Sequence, residues 1–217
     1  MGLDILVFLG TVRDSTPPKP ARLGQRVAKA CVVHLEEAHN VTLIDPLELD
    51  LSTPFKPHFA YAHGKAPDEL EKLAKQIEAA DAYVMVSPEY NHAMSPALAD
   101  LLNHFGASLF AFKPSAIVTY SAGQWGGTRA AVNMRTFLSE LGCLPVSAMV
   151  HLPKAQEALD ENGTFTQEPE NWASYLERTF SQLAWWAEAA GRQRSEGKTQ
   201  QTEGFKKEPA QLNAPTS

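Results

Sequence analysis

The stretch AYVMVSPEYN, residues 82–91, decides the fold, because a continuous apolar run ends there in polar and aromatic side chains. Its first five residues are apolar one after another, which is typical of a strand that is covered on both faces of a sheet. The runs LDILVFL at 3–9 and SAIVTYS at 115–121 share this pattern. Three such strands predict a parallel sheet that lies between two layers of helices.

Two more strands and five helices complete the predicted domain. The additional strands are VTLI at 41–44 and the weaker LPVSAMV at 144–150. Apolar residues recur with helical spacing in the segments that follow the strands, near 24–38, 68–80, 96–105, 128–141 and 170–190. Because strand and helix alternate five times, the sequence predicts one α/β domain with a five-stranded parallel sheet and helices on both faces.

Composition excludes several functional classes. A length of 217 residues suits one domain with its own core, and a net charge of −6 argues against a large nucleic-acid surface. Cys31 and Cys143 form no CxxC pair and are predicted to be reduced core thiols, and the seven histidines lack metal-ligand spacing, so no metal is expected. We find no secretory leader and no run near the ~20 residues of a membrane span, so we expect a cytoplasmic protein without membrane contact.

Two segments lack regular periodicity. Residues 46–66 combine prolines and histidines and are predicted to form a long loop. Residues 192–217 contain few apolar side chains, so we expect a disordered polar tail after a domain that covers 1–191.

The loop GTVRDST, residues 10–16, follows the first strand and lacks the GxGxxG pattern of a pyrophosphate turn. It offers one cation, Arg13, and the hydroxyl groups of Thr11, Ser15 and Thr16, with Arg22 nearby. These groups precede a helix N-terminus and suit a single terminal phosphate. A polar loop with an exposed arginine is an equally good interpretation of this stretch alone.

The end of the third strand suits a flat ring. Pro88 is expected to make a stiff turn, Tyr90 offers an aromatic face, and Glu89 and Asn91 offer polar groups. Exposed backbone and an aromatic side chain would fit a heterocycle. An ordinary strand-to-helix turn explains the same residues.

The loop after the fourth strand, YSAGQWGGTR at 120–129, allows close backbone approach to a ligand. Its candidate contacts are Ser121, Gly123, Gln124, Gly126 and Gly127. In open parallel sheets, ligands bind beyond the carboxyl ends of the strands, where all three loops should meet. Together they predict a mononucleotide site, and the lack of a pyrophosphate motif favours FMN over FAD or NAD.

The motifs GTVR at 10–13, PEYN at 88–91 and SAGxxGGxR at 121–129 resemble those of the NADPH-dependent FMN reductases of the flavodoxin-like superfamily. The resemblance covers residues 3–190 and implies a three-layer flavodoxin-like fold with strand order 2-1-3-4-5. It implies a phosphate in the 10–16 loop, a flavin ring against 88–91 and 121–127, and a homodimer or homotetramer. One departure is Ala99, where the family commonly has a lysine.

The resemblance also implies an activity. NADPH or NADH would pass hydride through bound FMN to a small-molecule acceptor, namely a flavin, a quinone or an azo compound. The flavin would carry the chemistry, so no catalytic side chain is nominated. Two alternatives stay open: an FMN-binding electron carrier or redox-sensing partner protein that does not turn over NAD(P)H, and a relative that has lost the cofactor.

Overall fold

The structure is a computed structural model, and it describes residues 2–14, 22–51 and 55–196. Ser15 and Thr16, which belong to the predicted phosphate loop, lie outside the described residues. Residues 197–217 of the predicted tail also lie outside them.

The described chain alternates strands and helices as the sequence predicts. The strands are β1 (Asp4–Leu9), β2 (Asn40–Ile44), β3 (Ala82–Tyr90), β4 (Ala93–Met94), β5 (Pro114–Tyr120) and β6 (Leu144–Leu152). The helices are α1 (Leu23–Glu36), α2 (Asp68–Ala79), α3 (Pro96–Asn103), α4 (Ala107–Phe110), α5 (Thr128–Glu140), α6 (Ala155–Ala158) and α7 (Pro169–Ser195). Five strands are parallel in the order β2-β1-β3-β5-β6, which confirms the predicted topology.

Alternate side chains of each central strand enter different cores. Ile5, Val7 and Leu9 of β1 pack with α1, α6 and α7 on one face of the sheet. Leu6 and Phe8 pack with α2, α3, α4 and α5 on the other face. Continuous apolar runs are therefore needed in the central strands, because both of their faces are covered.

Several boundaries differ from the predictions. The segment 46–66 contains two short 3₁₀ turns, Pro46–Glu48 and His58–Ala60, and its other described residues are irregular. Helix α7 runs to Ser195, so residues 192–195 are helical and not the start of a tail. None of the helices in the described ranges has the length and hydropathy of a membrane span.

The buried side chain of Lys113 caps the C-terminal end of α2. It lies at the amino end of β5, whereas the candidate site lies at the carboxyl ends of the strands. The Lys113 ammonium donates hydrogen bonds to the carbonyls of Ile77, Glu78 and Leu109 at 2.7, 2.6 and 3.2 Å. Tyr83 donates to the carbonyl of Ile77 as well, at 2.7 Å. Helix α2 has no basic residue of its own in the last turn, so these donors come from elsewhere in the chain.

Candidate active site

The first loop is anchored between β1 and α3. The Gly10 amide donates to the Val86 carbonyl at 2.7 Å, and the Ser95 hydroxyl donates to the Gly10 carbonyl. A Cβ at position 10 would lie 2.6 Å from the Val86 carbonyl oxygen, so this position needs glycine. Thr11 is then buried and accepts a hydrogen bond from the Arg13 amide at 3.1 Å, whereas the Arg13 side chain is exposed.

Arg22 does not have the open guanidinium that the phosphate prediction implies. Its two terminal nitrogens donate to the Asp45 carboxylate and to the Thr11 carbonyl, and the ion pair is buried. Asp45 follows β2, so Arg22 ties the first loop to the neighbouring strand. Its Nε is buried and has no hydrogen-bond acceptor among the described residues.

Helix α1 begins beside this loop, and the amides of Leu23 and Gly24 in its first turn have no acceptor among the described residues. Its N-cap is Arg22, no side chain caps it in the described chain, and its first turn contains no acidic residue. A Cβ on Gly24 would lie 2.3 Å from the Tyr120 hydroxyl and 2.5 Å from Cγ2 of Thr11. Burial raises the pKa of Tyr120 well above its ordinary value, so its hydroxyl keeps its proton as a donor.

Pro88 is a strand residue, which corrects the prediction of a turn there. Strand β3 continues to Tyr90, and Pro88 is buried opposite Tyr120 in the parallel ladder. The chain reverses at Asn91 and His92, which both have positive φ angles of 50° and 64°, and returns as β4. The PEYN motif thus forms one arm and the start of the turn of a hairpin.

Glu89 faces α5. Its Oε2 accepts hydrogen bonds from the amides of Arg129 and Ala130 at 3.1 and 3.3 Å, and its Oε1 accepts from Nε of Arg129 at 2.9 Å. Burial acts to raise the pKa of Glu89, but these hydrogen bonds and the Arg129 charge outweigh it, and the pKa is lowered. The side chain is therefore committed to the start of α5, and a contact from Glu89 to a cofactor stays a prediction.

Hydrogen bonds of two side-chain hydroxyl groups hold the conformation of the glycine loop, residues 120–129. The Ser121 hydroxyl donates to the Gly123 carbonyl at 2.8 Å and accepts from the Gly126 amide at 2.9 Å. The Thr119 hydroxyl donates to the Gly126 carbonyl at 2.8 Å, so Nδ1 of His151, also 2.8 Å away, is the donor to Thr119. The loop is thereby fixed, while Gly123 and Gln124 are exposed.

Three exposed apolar side chains surround this edge of the sheet, one from each loop. Val12 is 53% exposed, Tyr90 is 39% exposed and Trp125 is 60% exposed. The structure therefore brings the three predicted loops to the carboxyl edge of β1, β3 and β5. A flat apolar ring with one anionic end matches this combination of exposed apolar groups and open amide donors.

Sequence reasoning placed Tyr120 and Arg129 in the 120–129 loop but assigned them no role, and it missed Asp45 and Ser95 as parts of this region. Asp45 pairs with a residue distant in sequence, so no local pattern marks it, and the pairing of Arg129 with Glu89 spans 40 residues. The signal for Ser95 was the Ser-Pro pair at 95–96, which is typical of a helix start: Ser95 caps α3 by accepting from the Leu98 amide at 3.1 Å.

Comparison with known proteins decides the family. The sequence model described as NADPH-dependent FMN reductase matches residues 3–157, which is more than half of the chain. The chain belongs to this family. The predicted flavodoxin-like fold and the observed strand order agree with that membership.

Two curated relatives place the chain within the family. An NAD(P)H-dependent FMN reductase from Pseudomonas aeruginosa is 35% identical over 101 residues, covering 45% of this chain and 55% of the relative. An NADPH azoreductase from a Bacillus species is 36% identical over 72 residues, covering 33% of this chain and 40% of the relative. The chain therefore matches about half the length, or less, of these two relatives.

A solved structure supports the fold over a longer range. FerB, a flavoenzyme NAD(P)H:(acceptor) oxidoreductase from Paracoccus denitrificans, superposes with a TM-score of 0.67. The match covers 87% of this chain and 98% of FerB at 20% sequence identity. At this identity the similarity concerns the fold alone.

Proposed function

We propose that the protein is an FMN-dependent NAD(P)H oxidoreductase that passes hydride from NADPH or NADH to a flavin, quinone or azo acceptor. The observation that carries the proposal is the contrast between three helix starts at the carboxyl edge of the sheet. Ser95 caps α3 and Glu89 caps α5, whereas α1 begins beside Arg13 without a side-chain cap in the described chain. An anion is favoured where amides and a cation are open together.

The donors of the first loop fit a phosphate. Four kinds of donor lie around the same loop: the first amides of α1, the exposed side chain of Arg13, Nε of Arg22, which has no acceptor among the described residues, and the hydroxyl of Tyr120, which is hydrogen-bonded to Thr11. Charge-assisted hydrogen bonds of this kind contribute roughly 1.5–3 kcal/mol each. A few of them account for most of the ~8 kcal/mol that a micromolar ligand requires.

The remaining groups fit the ring of FMN. Tyr90 at the end of β3 and Trp125 in the glycine loop offer exposed aromatic surface, and the exposed residues Gly123 and Gln124 allow close approach of backbone and amide groups. Bound FMN would supply the redox chemistry, in which a hydride leaves NAD(P)H and two electrons and a proton pass to the acceptor, with a second proton from water. The chain's own part is to orient the ring and to hold the polar backbone at its edge.

The test is spectroscopic. We expect the purified protein to bind FMN with a flavin absorbance spectrum, and NADPH to bleach the visible bands in the absence of air. Steady-state rates with quinones, azo dyes and free flavins would then identify the acceptor class. Protein that binds FMN but is not bleached by either nicotinamide would instead support the electron carrier, and protein that never binds FMN would contradict both.

We also propose that the protein assembles as a homodimer or homotetramer. Trp185 and Trp186 are 62% and 42% exposed on α7, which is unusual for side chains of this size in a monomer. Light scattering on a sizing column measures the mass directly. A monomer of 23.7 kDa at micromolar concentration would contradict this assembly.

A further inference from the structure

Helix α5 takes its N-terminal cap from another element of the fold. Its own N-cap residue is Gly127, which has a φ of 80° and no side chain with which to accept a hydrogen bond. Glu89, at the end of β3, accepts instead from the amides of Arg129 and Ala130. A cap of this kind satisfies amides that the helix leaves unpaired, and its negative charge complements the positive end of the helix dipole.

The glycine loop cannot supply this cap. A Cβ on Gly127 would lie 2.9 Å from Cβ of Thr119, and the positive φ would add strain to any other residue. The serine, threonine, asparagine or aspartate that usually caps a helix is therefore excluded at position 127. The carboxylate of Glu89 consequently links the end of β3 directly to the end of the glycine loop.

Arg129 completes a compact group of charges. Its guanidinium contacts Oε1 of Glu89 through two nitrogens, at 2.9 and 2.8 Å, and about half of the arginine side chain stays exposed. The Glu89 side chain is 11% exposed, so the pair is partly shielded from solvent. One negative charge is thus balanced by one positive charge and by the end of the helix.

We propose that Glu89 is a positioning residue that fixes the glycine loop against the FMN ring, and that the balanced charges of Glu89 and Arg129 hold the ratio of the affinities for oxidised and reduced cofactor between the values that either charge alone would give. The inference rests on the proposed function. Reduced FMN carries more negative charge than oxidised FMN, so a neighbouring charge acts unequally on the two forms. With both side chains present, the effects of their charges on the cofactor nearly cancel. Removing one charge leaves the effect of the other uncompensated.

The experiment compares two variants that change opposite charges. Glu89→Gln keeps an acceptor oxygen for the α5 amides and removes the negative charge; Arg129→Gln removes the positive charge and leaves the carboxylate cap. We expect Glu89→Gln to favour the reduced cofactor and Arg129→Gln to disfavour it, each changing the ratio of the two dissociation constants about threefold. A tenfold change in this ratio corresponds to about 30 mV in a two-electron midpoint potential, so spectroelectrochemistry resolves the effect.

Asp81→Asn is the matched control, because Asp81 pairs with Arg194 at 3.3 Å on the opposite edge of the sheet. It should leave the ratio unchanged. The inference is overturned if Glu89→Gln and Arg129→Gln shift the ratio of the two dissociation constants in the same direction, or if neither variant shifts it. FMN binding by these proteins would still support the proposed function. A wild-type protein that binds no FMN would overturn both. If Glu89→Gln does not fold, the sign of the Arg129→Gln shift still decides.

Discussion

Single residues at the carboxyl edge of the sheet are constrained by neighbours that lie far away in the sequence. Gly24 is the clearest case, because the first turn of α1 passes against Tyr120 and Thr11 with no room for a Cβ. Both neighbours are buried at 4% exposure, so neither can move into solvent without opening the core. A residue that weakens a helix by propensity is thus required here by packing.

Gly24→Ala separates these two effects. Propensity alone would stabilise α1 by about 0.8–1 kcal/mol, whereas overpacking of the buried contact typically costs about 1–3 kcal/mol. We expect a net loss in the free energy of unfolding, measured by urea titration, together with weaker FMN binding. Gly123→Ala is the matched control for stability, since a Cβ there meets no atom within 4 Å. A more stable Gly24→Ala variant would refute the steric argument.

Helix ends in this fold are also capped by residues that are distant in sequence. The last carbonyls of α2 accept hydrogen bonds from Lys113. Burial lowers the pKa of Lys113 to about 8. Its value in the unfolded chain is near 10.4, so the folded state releases the proton first. The contribution of this group to stability therefore rises as the pH increases from about 8 to 10.5.

Lys113→Met tests the closure of α2. The variant retains an apolar chain of similar length but leaves the carbonyls of Ile77 and Glu78 without the ammonium donor. We expect the free energy of unfolding to fall by about 1–3 kcal/mol at pH 7, and by more at pH 10. Lys75→Met, at an exposed position of the same helix, should change it little at either pH. Equal losses at pH 7 and 10 would contradict the lowered pKa.

The hairpin of β3 and β4 contains one strand that the sequence predicts and one that it does not. The apolar run at 82–86 predicts a buried strand, and the structure confirms it. Strand β4 has only two residues, Ala93 and Met94, which is too short for any periodicity. The sequence therefore predicts a turn at Pro88. In the structure Pro88 pairs in the ladder, and the chain reverses at Asn91 and His92. Both have positive φ angles, which are uncommon for residues other than glycine.

At the scale of the molecule, the order of the five parallel strands and the meeting of three loops at one edge follow from the sequence, because alternating strands and helices allow few topologies. Long-range pairs do not follow from it. The contacts of Arg22 with Asp45 and of Glu89 with Arg129 span 23 and 40 residues, and each assigns a structural partner to a side chain that was expected to face the cofactor.

Cofactor binding should stabilise the whole domain. A ligand that binds only the folded state adds about 2.7 kcal/mol at 100 times its dissociation constant, which corresponds to an increase of about 5–10 °C in Tm for a domain of this size. We expect FMN to raise the Tm of the wild type by this amount in differential scanning fluorimetry, and to raise that of Arg13→Ala by clearly less at the same concentration. Arg178→Ala, at an exposed position of α7, is the control. An equal shift for Arg13→Ala would remove Arg13 from the site.

The cap that Glu89 supplies to α5 has a consequence for protein engineering. A chimera that imports the PEYN hairpin from a relative also imports half of a charge pair whose other half begins the fifth helix. Crossover points placed between residues 89 and 129 would separate the two partners and leave either a bare carboxylate or an unsatisfied helix start. Segment exchange in this fold should therefore carry residues 82–140 as one cassette.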